Sequence, residues 1–239
     1  MSIGKLSIIS FVLVLLIFGC AKEKKEEYGG ADESSDYTTY TPSPDYTPSP
    51  DYSFDSSTSS SIKYVSPQGD SSASGSLTVG ASTVSGTYTT PCFYGSSVDT
   101  LTANGFLPSD TKAFGFVFVL TDNDNATREN ILFTDTSCTD VNFLEEQLFE
   151  NLSIGDQSGS NYKFDFTLKK MKFLAKTSAA KTWADSNYST EFTIGTKVVT
   201  DNNTAYKSLI NVSGDTIKTA SPNTSSYPTE VSSIEYVKQ

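Results

Sequence analysis

From residue 62 onward the sequence predicts an all-β domain, either a closed barrel or a two-sheet sandwich. Apolar and polar side chains alternate with a period of two, turn residues separate the alternating runs, and helical periodicity is nearly absent. About eight to ten antiparallel strands fit the length that carries this pattern.

The elements follow in order. Gly75–Val79 and Thr83–Thr90 are the first strand-like runs. AFGFVFVL places Phe114, Phe116, Phe118 and Leu120 on one face and Ala113, Val117 and Val119 on the other, so this strand is buried on both sides. Asp122-Asn123-Asp124-Asn125 is a turn signal, and Glu129–Thr134 is the next strand. VNFLEEQLFENL carries two periods at once. Val141, Leu144, Leu148 and Leu152 recur at helical spacing, whereas Phe143, Glu145, Gln147 and Phe149 fit a strand; a short helix or a turn leading into a strand is expected. Ile154-Gly155-Asp156 and Ser158-Gly159-Ser160-Asn161 read as turns. NYKFDFTL then alternates cleanly, with Tyr162, Phe164, Phe166 and Leu168 inward and Lys163, Asp165 and Thr167 outward. The inward set resumes at Met171 and Phe173, one residue out of step, which predicts a β-bulge at Lys169–Lys170. Thr177–Ser189 has no clear period and reads as a loop or short helix. Glu191–Thr200, Ala205–Val212, Asp215–Thr219 and Glu230–Lys238 are further strand-like runs, with turn signals at Thr200–Asn203 and Ser213–Asp215.

Upstream of the domain the composition is different. Lys5 precedes an apolar stretch from Ile8 to Phe18, about eleven residues, the length of a signal-peptide core and well short of the ~20 needed by a spanning helix. Ile17-Phe18-Gly19-Cys20 resembles the bacterial lipobox, although Phe18 is larger than the usual residue there. The resemblance implies that residues 1–19 are a lipoprotein signal peptide and that Cys20 becomes a lipidated N-terminus. Two or more acyl chains anchor stably, so the partner implied is a membrane and the address a bacterial cell envelope. Ala21, where an aspartate is absent, resembles the default for sorting to an outer membrane. The alternative is an ordinary secretory signal with a chance cysteine.

Residues 20–61 read as an anchor and disordered tether. They are nearly free of aliphatic side chains and contain YTPSPD at Tyr40–Asp45 and again at Tyr46–Asp51, followed by a decayed YSFD and a Ser/Thr run. Proline biases such a chain to polyproline II at about 3.1 Å per residue, so it reaches on the order of 100 Å. A spacer that holds the domain away from a membrane is the expected role.

The formal charge of −11 argues against nucleic acid and against docking on anionic lipid by charge. With Cys20 lipidated, Cys92 and Cys138 remain, and an exported compartment permits the disulfide Cys92–Cys138; two buried free thiols are the alternative. Several short motifs resemble, in order and spacing, small exported bacterial β-barrel proteins that look lipocalin-like. They are Gly86-Thr87-Tyr88 with Cys92, Phe133–Cys138, Ser153-Ile154-Gly155, Tyr162–Leu168, Val212–Thr216, and the closing Tyr227–Val231 and Tyr236–Gln239. The resemblance covers roughly residues 83–239 and implies an antiparallel up-and-down barrel over 62–239 with its two cysteines bridged. It transfers no catalytic residue.

Chemistry is sparse. No histidine is present, which removes Ser-His-Asp and Cys-His catalysis and the commonest metal ligand. Ser178-Ala179-Ala180-Lys181 matches S-x-x-K, but no K-T-G accompanies it. Asp122–Asn125 begins like a calcium loop, yet Thr127 stands where glycine is needed and Phe133 where glutamate is needed. Glu145 and Glu146 are neighbours and point to opposite faces of any strand. Lys169, Lys170 and Lys172 are a candidate patch for an anionic ligand, weighed against lysines that protect an edge strand. No enzyme, cofactor or metal site is expected. The functional expectation is a lipid-anchored envelope protein whose barrel binds a small apolar or amphipathic molecule; the alternative is a surface adhesion or interaction protein with a filled core.

Overall fold

The computed structural model describes residues 62–239. The expected signal peptide, Cys20 and tether lie outside the described residues. Eleven strands and two helices follow in chain order. They are β1 (Ser76–Val79), β2 (Ser82–Ser85), β3 (Thr87–Thr89), β4 (Phe93–Tyr94), α1 (Ser96–Ala103), β5 (Ala113–Leu120), β6 (Ala126–Phe133), β7 (Val141–Ser158), β8 (Asn161–Ala175), α2 (Ser178–Asn187), β9 (Val198–Ser213), β10 (Thr216–Thr219) and β11 (Tyr236–Lys238).

Consecutive strands from β5 to β11 pair antiparallel with their neighbours, β11 pairs with β3, and β3 pairs back onto β5. The result is an eight-stranded, closed, up-and-down antiparallel barrel. Closure removes the exposed edges that an open sheet leaves. β4 pairs with β5 beside the end of β3, so β3 and β4 act as one strand interrupted at Thr90–Cys92. Pro91 lacks the amide hydrogen a ladder needs there, and Thr90 bridges the break: its hydroxyl oxygen accepts the Phe116 N–H at 2.9 Å.

β5 is buried along its whole length, as its sequence predicts. Its inward set, Phe114, Phe116, Phe118 and Leu120, joins the main core inside the barrel. Its outward set, Ala113, Val117 and Val119, forms a second core with Val65, Ile131, Phe133, Leu144 and both cysteines. That outer core exists because residues 62–75 run across the barrel wall as a strap. The Val65 N–H donates to Thr90 O, and the Ser74 and Gly75 N–H groups both donate to Leu120 O. Gly115 is required beneath it, since a side chain at that position would drive into Val65. Cys92 and Cys138 are bridged, with Cα atoms 6.0 Å apart, and clamp the β3–β4 break to the β6–β7 loop.

The bulge expected at Lys169–Lys170 is present. Leu148 pairs with Lys170 but Phe149 with Leu168, leaving Lys169 as the extra residue, and the inward alternation of β8 resumes at Met171. Several sequence expectations differ from the structure. Thr200–Asn203 is not a turn: β9 runs through it and absorbs one extra residue opposite the bulge, so polar residues in a solvent-facing strand imitate a loop. Ile154–Asp156 is likewise an irregularity within β7 rather than a turn. The run Glu191–Thr200 is strand only from Val198, because Phe192 leaves the sheet to fill the barrel end. Glu230–Lys238 is strand only over Tyr236–Lys238. The doubtful stretch VNFLEEQLFENL lies wholly in β7, and Thr83–Thr90 is divided at Gly86, whose positive φ turns the chain from the β1–β2 hairpin into the barrel. Helix α1, rich in serine and threonine, carried no helical signal.

Each barrel end is covered. At one, Val98 and Leu101 of α1, Leu107, Ala180 and Ala184 of α2, Tyr188 and Phe192 all join the interior core. At the other, the separate β1–β2 hairpin inserts Leu77, Val79 and Val84. Its Gly80 sits against the Tyr162 hydroxyl group. α2 starts at Thr177, whose hydroxyl oxygen accepts the Ala180 N–H at 3.1 Å. Thr177→Ala is expected to cost about 1 kcal/mol, read as a shift of the urea unfolding midpoint without change in slope.

Candidate functional site

The barrel interior is mainly apolar and rich in phenylalanine, and β6 and β7 place one polar block within it. Alternation in β6 turns Ala126, Arg128, Asn130 and Leu132 inward and Thr127, Glu129, Ile131 and Phe133 outward. In β7 the same rule turns Phe143, Glu145, Gln147 and Phe149 inward. The register places Arg128 opposite Gln147 and Asn130 opposite Glu145. Four polar side chains therefore form one block on two adjacent strands, flanked by Ala126 and Leu132 on β6 and by Phe143 and Phe149 on β7. All four are buried, between 1% and 8% exposed.

Arg128 is the single arginine of the whole sequence. Its Nε donates to Asn130 Oδ1 at 3.2 Å, and its guanidinium carbon lies 5.5 Å from the centroid of the Phe116 ring. Among the described residues it enters none of the six ion pairs. Asn130 and Phe116 are both uncharged and orient the guanidinium, and the Glu145 carboxylate stands in the same block opposite Asn130. Glu145 accepts from Gln147 Nε2 at 2.5 Å, and the Tyr188 hydroxyl stands 3.5 Å from its other oxygen. Tyr236 of β11 faces the layer from across the barrel, with its ring 6.4 Å from Phe116. Burial raises the Tyr236 pKa and the Arg128 charge opposes that rise; burial and the Glu145 charge push Tyr188 well above the usual tyrosine range. Both phenols are thus hydroxyl donors at any physiological pH.

The layer holds the Arg128 guanidinium and the Tyr236 hydroxyl as donors, the Tyr188 hydroxyl is directed at Glu145, and the side chains on either side of the layer are apolar. Sequence reading missed Arg128 and Asn130. The available signal was that the only arginine alternates in step with Ala126 and Leu132.

The residues singled out from the sequence lie elsewhere. Lys172 bonds Glu146 at 2.6 Å on the outer wall, Lys169 reaches Asn203 at 2.9 Å and Glu150 at 3.8 Å, and Lys170 is exposed. Two of the three amines are therefore engaged by carboxylates. Glu145 and Glu146 do point to opposite sides of the wall, as alternation requires. Ser178 lines an open groove of about 500 Å³ between α1 and α2, but Lys181 bonds Asp185 at 2.5 Å instead of serving that hydroxyl group. Asp122–Asn125 is the β5–β6 hairpin turn: Asn125 O accepts the Thr121 and Asp122 N–H groups.

The chain matches no model of a known protein family, and it matches no curated protein. What stands is a capped eight-stranded barrel that encloses its only guanidinium.

Proposed function

We propose that this chain is a lipid-anchored cell-envelope protein whose barrel binds a small amphipathic molecule with an anionic head group. The observation that supports the ligand reading is the placement of Arg128. A buried cation costs desolvation energy unless something compensates it, and an apolar residue of similar volume is often the more stable choice. Arg128 shares its layer with the Glu145 carboxylate, which Gln147 and the Tyr188 hydroxyl already engage, and a ligand carboxylate or phosphate would add acceptors for the remaining guanidinium donors. The anchor rests on the lipobox residues Ile17–Cys20. Metabolic labelling with an alkyne fatty acid should mark the wild-type protein and not Cys20→Ala; labelling of both would reject the anchor at that position.

A second reading has its own support. Helix α2, Phe192 and the β1–β2 hairpin close the barrel, and Phe143, Phe173, Tyr188 and Phe192 touch ring to ring. A filled core would make the domain an outward-facing interaction module on a stalk. The two readings divide on Arg128→Leu. Titration with 8-anilinonaphthalene-1-sulfonate, an anionic amphiphile, is expected to lose roughly 10–100-fold in affinity in the variant, the equivalent of about 1.5–3 kcal/mol for a charged hydrogen bond. Equal affinity of the two proteins, or no binding by either, would favour the filled core.

A further inference from the structure

The outer wall of the barrel buries two adjacent carboxylates that the ligand reading does not use. Glu129 of β6 and Glu146 of β7 face each other in register, both turned outward and both essentially inaccessible. Charged glutamates are rarely buried on a barrel's outer face, and here the strap residues Gln68 and Gly69 lie over the pair. The Gln68 N–H donates to Glu129 Oε2 at 2.7 Å. Gly69 rests directly on the pair, and a Cβ there would meet a carboxylate oxygen from each. Glu129 Oε1 is buried without a well-formed hydrogen bond, with the Gly69 amide beside it. A charged carboxylate with an unsatisfied oxygen in that position is costly; a protonated one is not.

We propose that Gln68–Asp70 is a proton-linked latch, shut over the Glu129–Glu146 pair while Glu129 is protonated and lifted when Glu129 is charged.

The groups that face Glu129 from each packed element are few. From the strap, Asp70 adds negative charge, itself tied to Lys197 from the segment before β9. From β7, Glu146 adds a second, with its Oε1 held by Lys172 of β8. From β5, the residue opposite Glu129 is Val117, which is uncharged. Burial raises the Glu129 pKa most; the amides of Gln68 and Gly69 lower it in part, and Glu146 and Asp70 raise it again. With the strap lifted, Glu129 meets water and returns toward the ordinary carboxylate value of 4.5. Protonation therefore favours the shut form. Rising pH favours opening between 4.5 and the raised value and has no further effect above it. The strap is also the first described segment of the domain. Val65, with its N–H on Thr90 O, and Ser74 and Gly75, with theirs on Leu120 O, fix the two ends of the segment that lifts.

The test is amide hydrogen exchange of Gln68 and Gly69 on the full chain across this pH range, after division by the intrinsic exchange rate. Protection should fall by up to about tenfold per pH unit through the window in the wild-type chain, the slope for one linked proton. In Glu129→Gln, which keeps the shape without the charge, it should stay high and flat. A flat wild-type profile, or an equal fall in the variant, would overturn the latch. Carbon-13 titration of the Glu129 carboxyl in the wild-type chain reads the same group without a substitution. A midpoint above that of exposed glutamates is expected, and an ordinary midpoint would contradict the proposal.

Discussion

Phe173→Ala is expected to destabilise the barrel by about 3–5 kcal/mol, the range for removing a fully buried phenylalanine. Phe173 is 1% exposed and sits where β8 meets the plug. Its ring centroid lies 4.6 Å from Tyr188, 6.2 Å from Phe192 and 6.4 Å from Phe143. Those neighbours come from β7 and from the connection between α2 and β9, so none can collapse into the cavity without pulling its own segment out of place. Relaxation is therefore small and the cavity term large. Chemical denaturation checks this. A loss below about 1.5 kcal/mol, the cost of a volume-conserving swap, would mean that the plug is not packed on β8 as described.

Replacing Cys92 and Cys138 together by alanine should cost roughly 3–4 kcal/mol by the chain-entropy relation for a loop of this size. The bridge spans 46 residues of sequence, which contain β5 and β6, so the unfolded chain gains much freedom when it is cut. It also holds the point where the β3–β4 strand breaks. Both sulfur atoms sit in the outer core with Val65 and Phe133. Alanine keeps that core apolar, which separates the lost cross-link from a buried polar defect. An unchanged unfolding midpoint, with and without reductant, would contradict a stabilising bridge.

The fold class was legible because alternation survives wherever one strand face meets the core. β5 and β8 illustrate this: their phenylalanines fall on one face, and even the slip at Lys169 was readable from the two in-phase segments on either side. Legibility failed where polarity and conformation part company. Thr200–Asn203 is polar because that portion of β9 faces solvent, not because it turns. Phe192 is apolar because it plugs the barrel, not because it is in a strand. α1 is a helix for reasons of tertiary placement, with Val98 and Leu101 docked on the core and no capping side chain at its start. In the β7 stretch the glutamates concealed the strand, because Glu145 is turned into the barrel, where alternation leads one to expect an apolar residue.

The site was less legible than the fold for the same reason. Charge in a sequence suggests surface, and the lysines of β8 fit that expectation. Arg128 does not: a polar residue on the inward face is recognised only when its strand partners are known, since Asn130, Glu145 and Gln147 become one layer only through the β6–β7 register. The strap was hidden further still. Gln68-Gly69-Asp70 reads as an ordinary loop, and only its position over Glu129 and Glu146 gives it a role.

The measurement that bears most directly on the ligand reading is native mass spectrometry of the full chain purified from its own source, followed by denaturing extraction. A stoichiometric adduct carrying an acidic group, retained by the wild type and lost from Arg128→Leu, is the predicted result. A wild-type mass that matches the processed chain alone, with no adduct in any preparation, would contradict ligand binding and leave the domain as a filled barrel that acts through its outer surface.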